Sequence, residues 1–116
     1  MTYVHNQIPV IQKSYDFYKL VYEYTKKFPK SDKYSLGEKI KNLILEVLEL
    51  LIEAETAKRD WKGPVLEKAS RKLGLLKILL RLANDVKVLD DKKYLTAQEQ
   101  IQEIGRQVGG WTKAVR

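Results

Sequence analysis

Apolar residues recur every three or four positions through most of this chain, and the strict alternation of a half-buried strand is absent. Four helix-length segments follow from that period. The first is predicted over about residues 8–27, ending where Pro29 and the polar residues of FPKSDKYS make a loop. Ser35 offers an N-cap with Glu38 as its capping-box partner, so a second helix is predicted over about 36–60. WKGP is read as the next break, with Pro64 in the first turn of a third helix over about 64–89. DDKKYLT is the last predicted loop, and Thr96 with Glu99 would cap a fourth helix over about 96–115. The expected fold is all-α, a single antiparallel four-helix bundle domain over residues 1–116.

The second and third helices carry more apolar surface than one core needs. In the second, Glu38, Asn42, Glu46, Glu49 and Glu53 form a narrow polar strip, and nearly every other position is Leu, Ile, Val or Ala. In the third, Leu66, Ala69, Leu73, Leu76, Leu80 and Ala83 make one apolar face, and Leu75, Ile78, Leu82, Val86 and Leu89 make another. Its polar strip is Glu67, Ser70, Gly74, Lys77, Arg81 and Asp85. A surface helix of a small bundle buries a stripe only a little over 100° wide, and large exposed apolar patches are uncommon on monomers. Self-association through these two helices is therefore expected, with Leu75, Ile78, Leu82 and Val86 in the contact.

The chain's last fourteen residues, EIGRQVGGWTKAVR, hold three glycines. Ala97, Ile101, Ile104, Val108, Trp111 and Val115 nevertheless keep helical spacing straight through them. A fourth helix is predicted rather than a tail. Interior glycines cost it about 3 kcal/mol in total against alanine. Gly105 and Gly109 lie one turn apart beside the stripe, where bare backbone would let another helix approach, and Trp111 joins the packing surface. Gly110 falls away from that face and is expected to loosen or end the last turn.

Composition narrows the chemistry. With no cysteine and one histidine, His5, no zinc or iron site of the histidine–cysteine kind can be built. The helix-two glutamates fall on the polar strip and lack a Glu-x-x-His pair, so a di-metal carboxylate centre is not expected. No phosphate-cradling GxxxxGK[ST] loop or supported catalytic triad occurs, and a non-enzyme without cofactor is the expectation. No apolar run approaches the ~20 residues that span a bilayer. MTYVHNQIPV lacks a signal-peptide pattern, and the absence of cysteine fits a reducing cytoplasm.

The formal charge of +7 is uneven, with residues 61–89 carrying seven basic and two acidic groups. Such an excess favours polyanionic partners, bound through phosphates without base reading. The basic groups divide into Lys58, Arg59 and Lys62 at the helix 2–3 turn, then Lys68, Arg71 and Lys72. Lys77 and Arg81 follow on the polar strip, and Arg106, Lys113 and Arg116 on helix four. In a ring-like oligomer each group would repeat into a belt of positive potential. Six of the seven tyrosines precede residue 35. Ile11, Tyr15, Tyr18 and Tyr22 share one helical face, with Phe17, Val21, Tyr24 and Phe28 beside it. Aromatics beside lysines can stack on bases, but at this spacing core packing is the expected role.

Three stretches together resemble one family. FPKSDKYSLGEKI, LLKILLRLANDVKVLDDKKY and the ending EIGRQVGGWTKAVR are similar, in order and spacing, to segments of the accessory variability proteins of diversity-generating retroelements. The resemblance covers about residues 10–115, with Lys33 standing where arginine is commoner. It implies a homopentameric barrel of four-helix bundles that binds DNA or RNA and the element's reverse transcriptase, in support of mutagenic copying of a template RNA. Lys77, Arg81, Arg106 and Lys113 align with basic positions of the family. A broader group with the same bundle includes proteins encoded in ribosomal RNA intervening sequences, and a structural bundle of that type is the alternative reading.

Overall fold

The computed structural model describes residues 8–116, so His5 lies outside the described residues. Among the described residues there are four long helices, one short helical turn and no strand. We label the long helices α1 (Pro9–Lys26), α2 (Leu36–Thr56), α3 (Arg59–Asp85) and α4 (Asp91–Ala114). Packing links α1 to α2, α2 to α3, α3 to α4, and α4 back to α1, which closes a four-sided bundle. The connections are short, so neighbouring helices run antiparallel. At a rise of ~1.5 Å per residue, α3 accounts for nearly all of the 43 Å long axis.

Each helix contributes one stripe to a common core. Val10, Ile11, Phe17 and Val21 come from α1, and Ile40, Leu43, Ile44, Val47 and Leu51 from α2. The α3 face of Leu66, Ala69, Leu73, Leu76, Leu80 and Ala83 is buried throughout, as are Ala97, Ile101, Ile104 and Val108 of α4. Three buried hydroxyls are satisfied locally. Ser14 Oγ donates to the Val10 carbonyl at 2.9 Å, Thr25 Oγ1 to Tyr22 at 3.0 Å and Thr112 Oγ1 to Val108 at 2.9 Å.

Two of the predicted helix starts are displaced, for identifiable reasons. WKGP does not break the chain. The break is the extended pair Ala57 (ψ 153°) and Lys58 (ψ 152°), and α3 begins at Arg59 with Pro64 inside it. That start places Lys62 in the opening turn of α3, where its Nζ donates to the Ala54 carbonyl at 2.6 Å and the Glu55 carbonyl at 3.1 Å. The open C-terminal carbonyls of α2 are thus capped by the next helix. DDKKYLT is likewise helical. Asp90 is the N-cap of α4, its carboxylate accepting from the Lys93 N–H at 2.8 Å, while Thr96 lies inside the helix and donates to the Lys92 carbonyl at 3.1 Å. An aspartate six residues earlier outcompetes the threonine because a carboxylate also favours the positive end of the helix dipole. Ser35 does precede α2, but its hydroxyl donates back to the Ser31 carbonyl at 2.8 Å and caps nothing.

The C-terminal segment is helix through Ala114, so Gly110 does not end it. Among the described residues, a Cβ added at Gly105, Gly109 or Gly110 would meet nothing within 4 Å. Their absence therefore serves no close approach inside this bundle. Gly37 is the contrast: a Cβ there would sit 3.2 Å from the Asp32 carbonyl and 3.3 Å from the Phe28 ring. The tyrosine expectation is also corrected. Phe17, Val21 and Phe28 are buried, yet Tyr15 and Tyr22 are exposed and Tyr18 is half-buried. The α2- and α4-facing sides of α1 are already filled, leaving the tyrosine line on the outer edge.

The third helix stops at Asp85, short of the predicted end, through a backbone motif. Lys87 N–H donates to the Asn84 carbonyl at 3.0 Å and Val88 N–H to the Ala83 carbonyl at 2.9 Å, with Lys87 at φ 67°. This is a Schellman ending with lysine where glycine is the usual residue. A left-handed lysine is strained by ~1–2 kcal/mol. Lys87→Gly is expected to raise stability in urea unfolding by about 0.5–1 kcal/mol, after the larger unfolded-state entropy of glycine is subtracted. Lys87→Ala should bring no such gain.

Candidate nucleic-acid interface

Going round α3, three surfaces succeed one another at ~100° per residue. The core face lies on one side. Next comes the polar strip with Lys77 and Arg81, both exposed. Beyond it runs an apolar stripe open to solvent: Leu75 is 41% exposed, Ile78 55%, Leu82 45% and Val86 52%. Leu89, expected on the same stripe, is instead buried, because the chain has turned inward past Val86. Lys68 and Arg71 lie one heptad before Leu75 and Ile78, so the N-terminal continuation of the apolar stripe is basic.

Lys77 and Arg81 are set against α4. Gln98 donates from Nε2 to the Lys77 carbonyl at 3.2 Å, and Lys77, Ile78, Arg81, Tyr94 and Gln98 line a shallow depression there. Among the described residues, Lys77, Arg81, Lys68, Arg71, Lys58, Arg59 and Lys113 form no ion pair. Two other candidates are engaged. Lys72 reaches Glu46 at 2.9 Å, tying α3 to α2. Arg106 grips Glu103 through two nitrogens, Nε at 3.0 Å from Oε1 and Nη2 beside Oε2.

The candidates do not converge on one spot. Lys58 and Arg59 begin α3, some 27 Å along the axis from Lys77 by helical rise. Arg106 and Lys113 fall on the solvent side of α4, about 12 and 22 Å beyond Gln98 by the same measure. Trp111 is half-buried against the core and, with Ile8, Pro9, Val10, Arg106, Gln107 and Gly110, lines an apolar recess between the ends of α1 and α4. The arrangement is a long surface carrying dispersed cations, suited to tracking a charged backbone rather than seating a small molecule.

A separate cleft of about 450 Å³ lies where α1 ends beside the α3–α4 connection. Lys27, Lys87 and Lys93 share it with Asp90 and Asp91, so its charge is mixed. Burial raises the Tyr24 hydroxyl pKa there, and Lys93 lies 5.6 Å from the Tyr24 ring centroid. Among the described residues no group of three or more His, Cys, Asp or Glu could hold a metal ion. Nor is any helix long and apolar enough to cross a membrane. Sequence reasoning overlooked Lys19, Lys26 and Lys41, which surround the exposed tyrosine rings. For Lys19 and Lys26 the available signal was a lysine four residues from a tyrosine; Lys41 reaches Tyr22 from α2, which no local spacing shows.

The fold and this surface define a four-helix bundle whose third helix carries Lys77 and Arg81, without ion pairs among the described residues, beside an exposed apolar stripe. The bAvd-like family model matches residues 9–115, and the chain belongs to that family of Avd-like accessory proteins associated with retroelements. No curated protein matches the sequence.

The Arg106–Glu103 pair has a measurable consequence. Hydrogen bonds from Arg106 first, then Gln107, hold the Glu103 carboxyl at about 2 instead of 4.5. A depressed carboxylate contributes stability above its unfolded pKa and loses it as pH falls through the folded value, here between about 4.5 and 2. The exposed, i,i+3 setting keeps that contribution small. An NMR titration should place the Glu103 midpoint near 2 in the parent and raise it in Arg106→Ala, with the Gln107 hydrogen bond still holding it below the ordinary value.

Proposed function

We propose that this chain is a non-catalytic accessory protein of a diversity-generating retroelement, acting in the cytoplasm as a homo-oligomer that binds nucleic acid and the element's reverse transcriptase. The observation that carries the proposal is the family match across residues 9–115. In this reading the oligomer is a pentameric barrel and the bound nucleic acid a template RNA or its hybrid with cDNA, as the family resemblance implies. Lys77 and Arg81 are the principal phosphate contacts in this reading, because both are exposed and neither is ion-paired among the described residues.

The α3 stripe supports self-association. Burying four aliphatic side chains of this size is worth about 1.5–3 kcal/mol each when complete, and inside one copy they remain wet. A second copy covering Leu75, Ile78, Leu82 and Val86 leaves the polar strip free and brings Lys68 and Arg71 to the interface rim. Gly105 and Gly109, open within the chain, offer the same copy a place for close backbone approach.

Several measurements test this reading. Ile78→Glu/Leu82→Glu should reduce the native mass to that of one chain while helicity is kept; an unchanged mass refutes the interface. For the parent, log K should fall steeply with log salt on duplex and single-stranded probes. Lys77→Ala/Arg81→Ala should lower that slope by about 0.7–0.9 for each phosphate contact removed, and Arg106→Ala by less, since Glu103 holds its guanidinium. No binding at low salt would sink the nucleic-acid half. Failure to co-purify with a reverse transcriptase, or a gene neighbourhood without one, would favour a structural bundle of the ribosomal intervening-sequence type.

A further inference from the structure

The outer edge of α1 carries a ridge of tyrosines, of which Tyr18 leans on the core while Tyr15 and Tyr22 stand out from it. Tyr15 is 51% exposed and Tyr22 43%, while Tyr18 lies beside Tyr22 with ring centroids 6.1 Å apart at a 31° tilt. Ammonium groups surround these rings. Lys19 Nζ is 5.7 Å from the Tyr15 centroid, and Tyr22 is approached from two helices, by Lys26 at 5.1 Å and Lys41 at 5.5 Å. The ridge runs toward the α1–α2 connection, where Tyr34 is 66% exposed near Lys30 and Lys33 in sequence. Between residues 10 and 41 there are eight lysines and four acidic residues, so the region is positive even though Lys26 pairs with Glu23 and Lys41 with Glu38, each at 3.4 Å.

We infer that the Tyr15–Tyr22 ridge is a stacking platform for unpaired bases of a single-stranded nucleic acid. The inference rests on the nucleic-acid reading proposed above and adds a second surface to it, on the opposite side of the sequence from Lys77 and Arg81. Relative strength decides the matter. A lysine over an exposed ring shifts an equilibrium about two- to fivefold. A base stacked on the same ring is worth about 5- to 100-fold. The base therefore displaces the ammonium, which swings on its flexible stem to the adjoining phosphate. The exposed ion pairs to Glu23 and Glu38 are weak enough to yield. Paired bases are buried in their own stack, so a duplex gains only the phosphate contacts.

The test is fluorescence anisotropy of the full chain with a labelled oligo-uridine of about 15 nucleotides, within the usual single-strand site sizes, and with a duplex of equal length. Tyr15→Leu/Tyr22→Leu should weaken single-strand binding about tenfold or more and leave duplex binding unchanged, while Tyr15→Phe/Tyr22→Phe, which keeps both rings, binds like the parent. Circular dichroism and native mass confirm that fold and assembly are intact. Parent-like single-strand binding by the leucine variant overturns the inference, as does an equal loss on duplex. A changed oligomer mass with unchanged nucleic-acid affinity also overturns it and identifies the ridge as a contact between copies. If the parent binds both probes and only Lys77→Ala/Arg81→Ala weakens it, the ridge fails and the proposed function stands; if the parent binds neither, the ridge and the nucleic-acid half of the proposed function fall together.

Discussion

The extended pair Ala57–Lys58 is the constraint on which the rest of the bundle depends. Two residues permit only one arrangement of α2 and α3, side by side and antiparallel. Lys62 secures the corner by donating to the last carbonyls of α2, and the Lys72–Glu46 pair repeats the link farther along. Once that hairpin is set, the rotation of α3 is settled by its continuous core face from Leu66 to Ala83. Everything else on α3 follows from this rotation. Lys77 and Arg81 fall beside α4, and Leu75, Ile78, Leu82 and Val86 are turned to solvent.

The surface is consequently divided by chemistry. One side of α3 carries cations without partners among the described carboxylates, and the next carries aliphatic side chains with no cover inside the chain. On α1 a third surface combines aromatic rings with lysines. Each differs in chemistry: exposed charge, exposed apolar area, and exposed aromatic rings beside ammonium groups. A small bundle that carries all three surfaces side by side belongs, by its family match, to a group of accessory proteins.

Much of the fold was legible in the sequence because helical period is a local signal. The core faces of α3 and α4 were read residue by residue, and the glycine-bearing ending proved helical through Ala114. Element ends were less legible. Asp90 and Thr96 are both competent caps, and which one starts α4 depends on where the α3–α4 turn delivers the chain. The α3 end likewise depends on Lys87 adopting a left-handed backbone that no lysine advertises. Tyr15 and Tyr22 were assigned to the core on spacing alone, and only the filling of α1's two contact sides by other residues puts them outside.

What the amino-acid sequence determined by itself, then, was the four long helices, their buried stripes, the surplus apolar face of α3 and the placing of Lys77 and Arg81 on its polar strip; the helical turn Lys30–Lys33 fell in a segment read as loop. These depend on period and side-chain type, which each helix carries without reference to its neighbours. The tertiary structure alone decided which cations stay unpaired, which tyrosines meet solvent, and that Gly105 and Gly109 face open space within the chain. Those outcomes depend on distances between helices, and a distance between residues far apart in sequence exists only once the chain has packed.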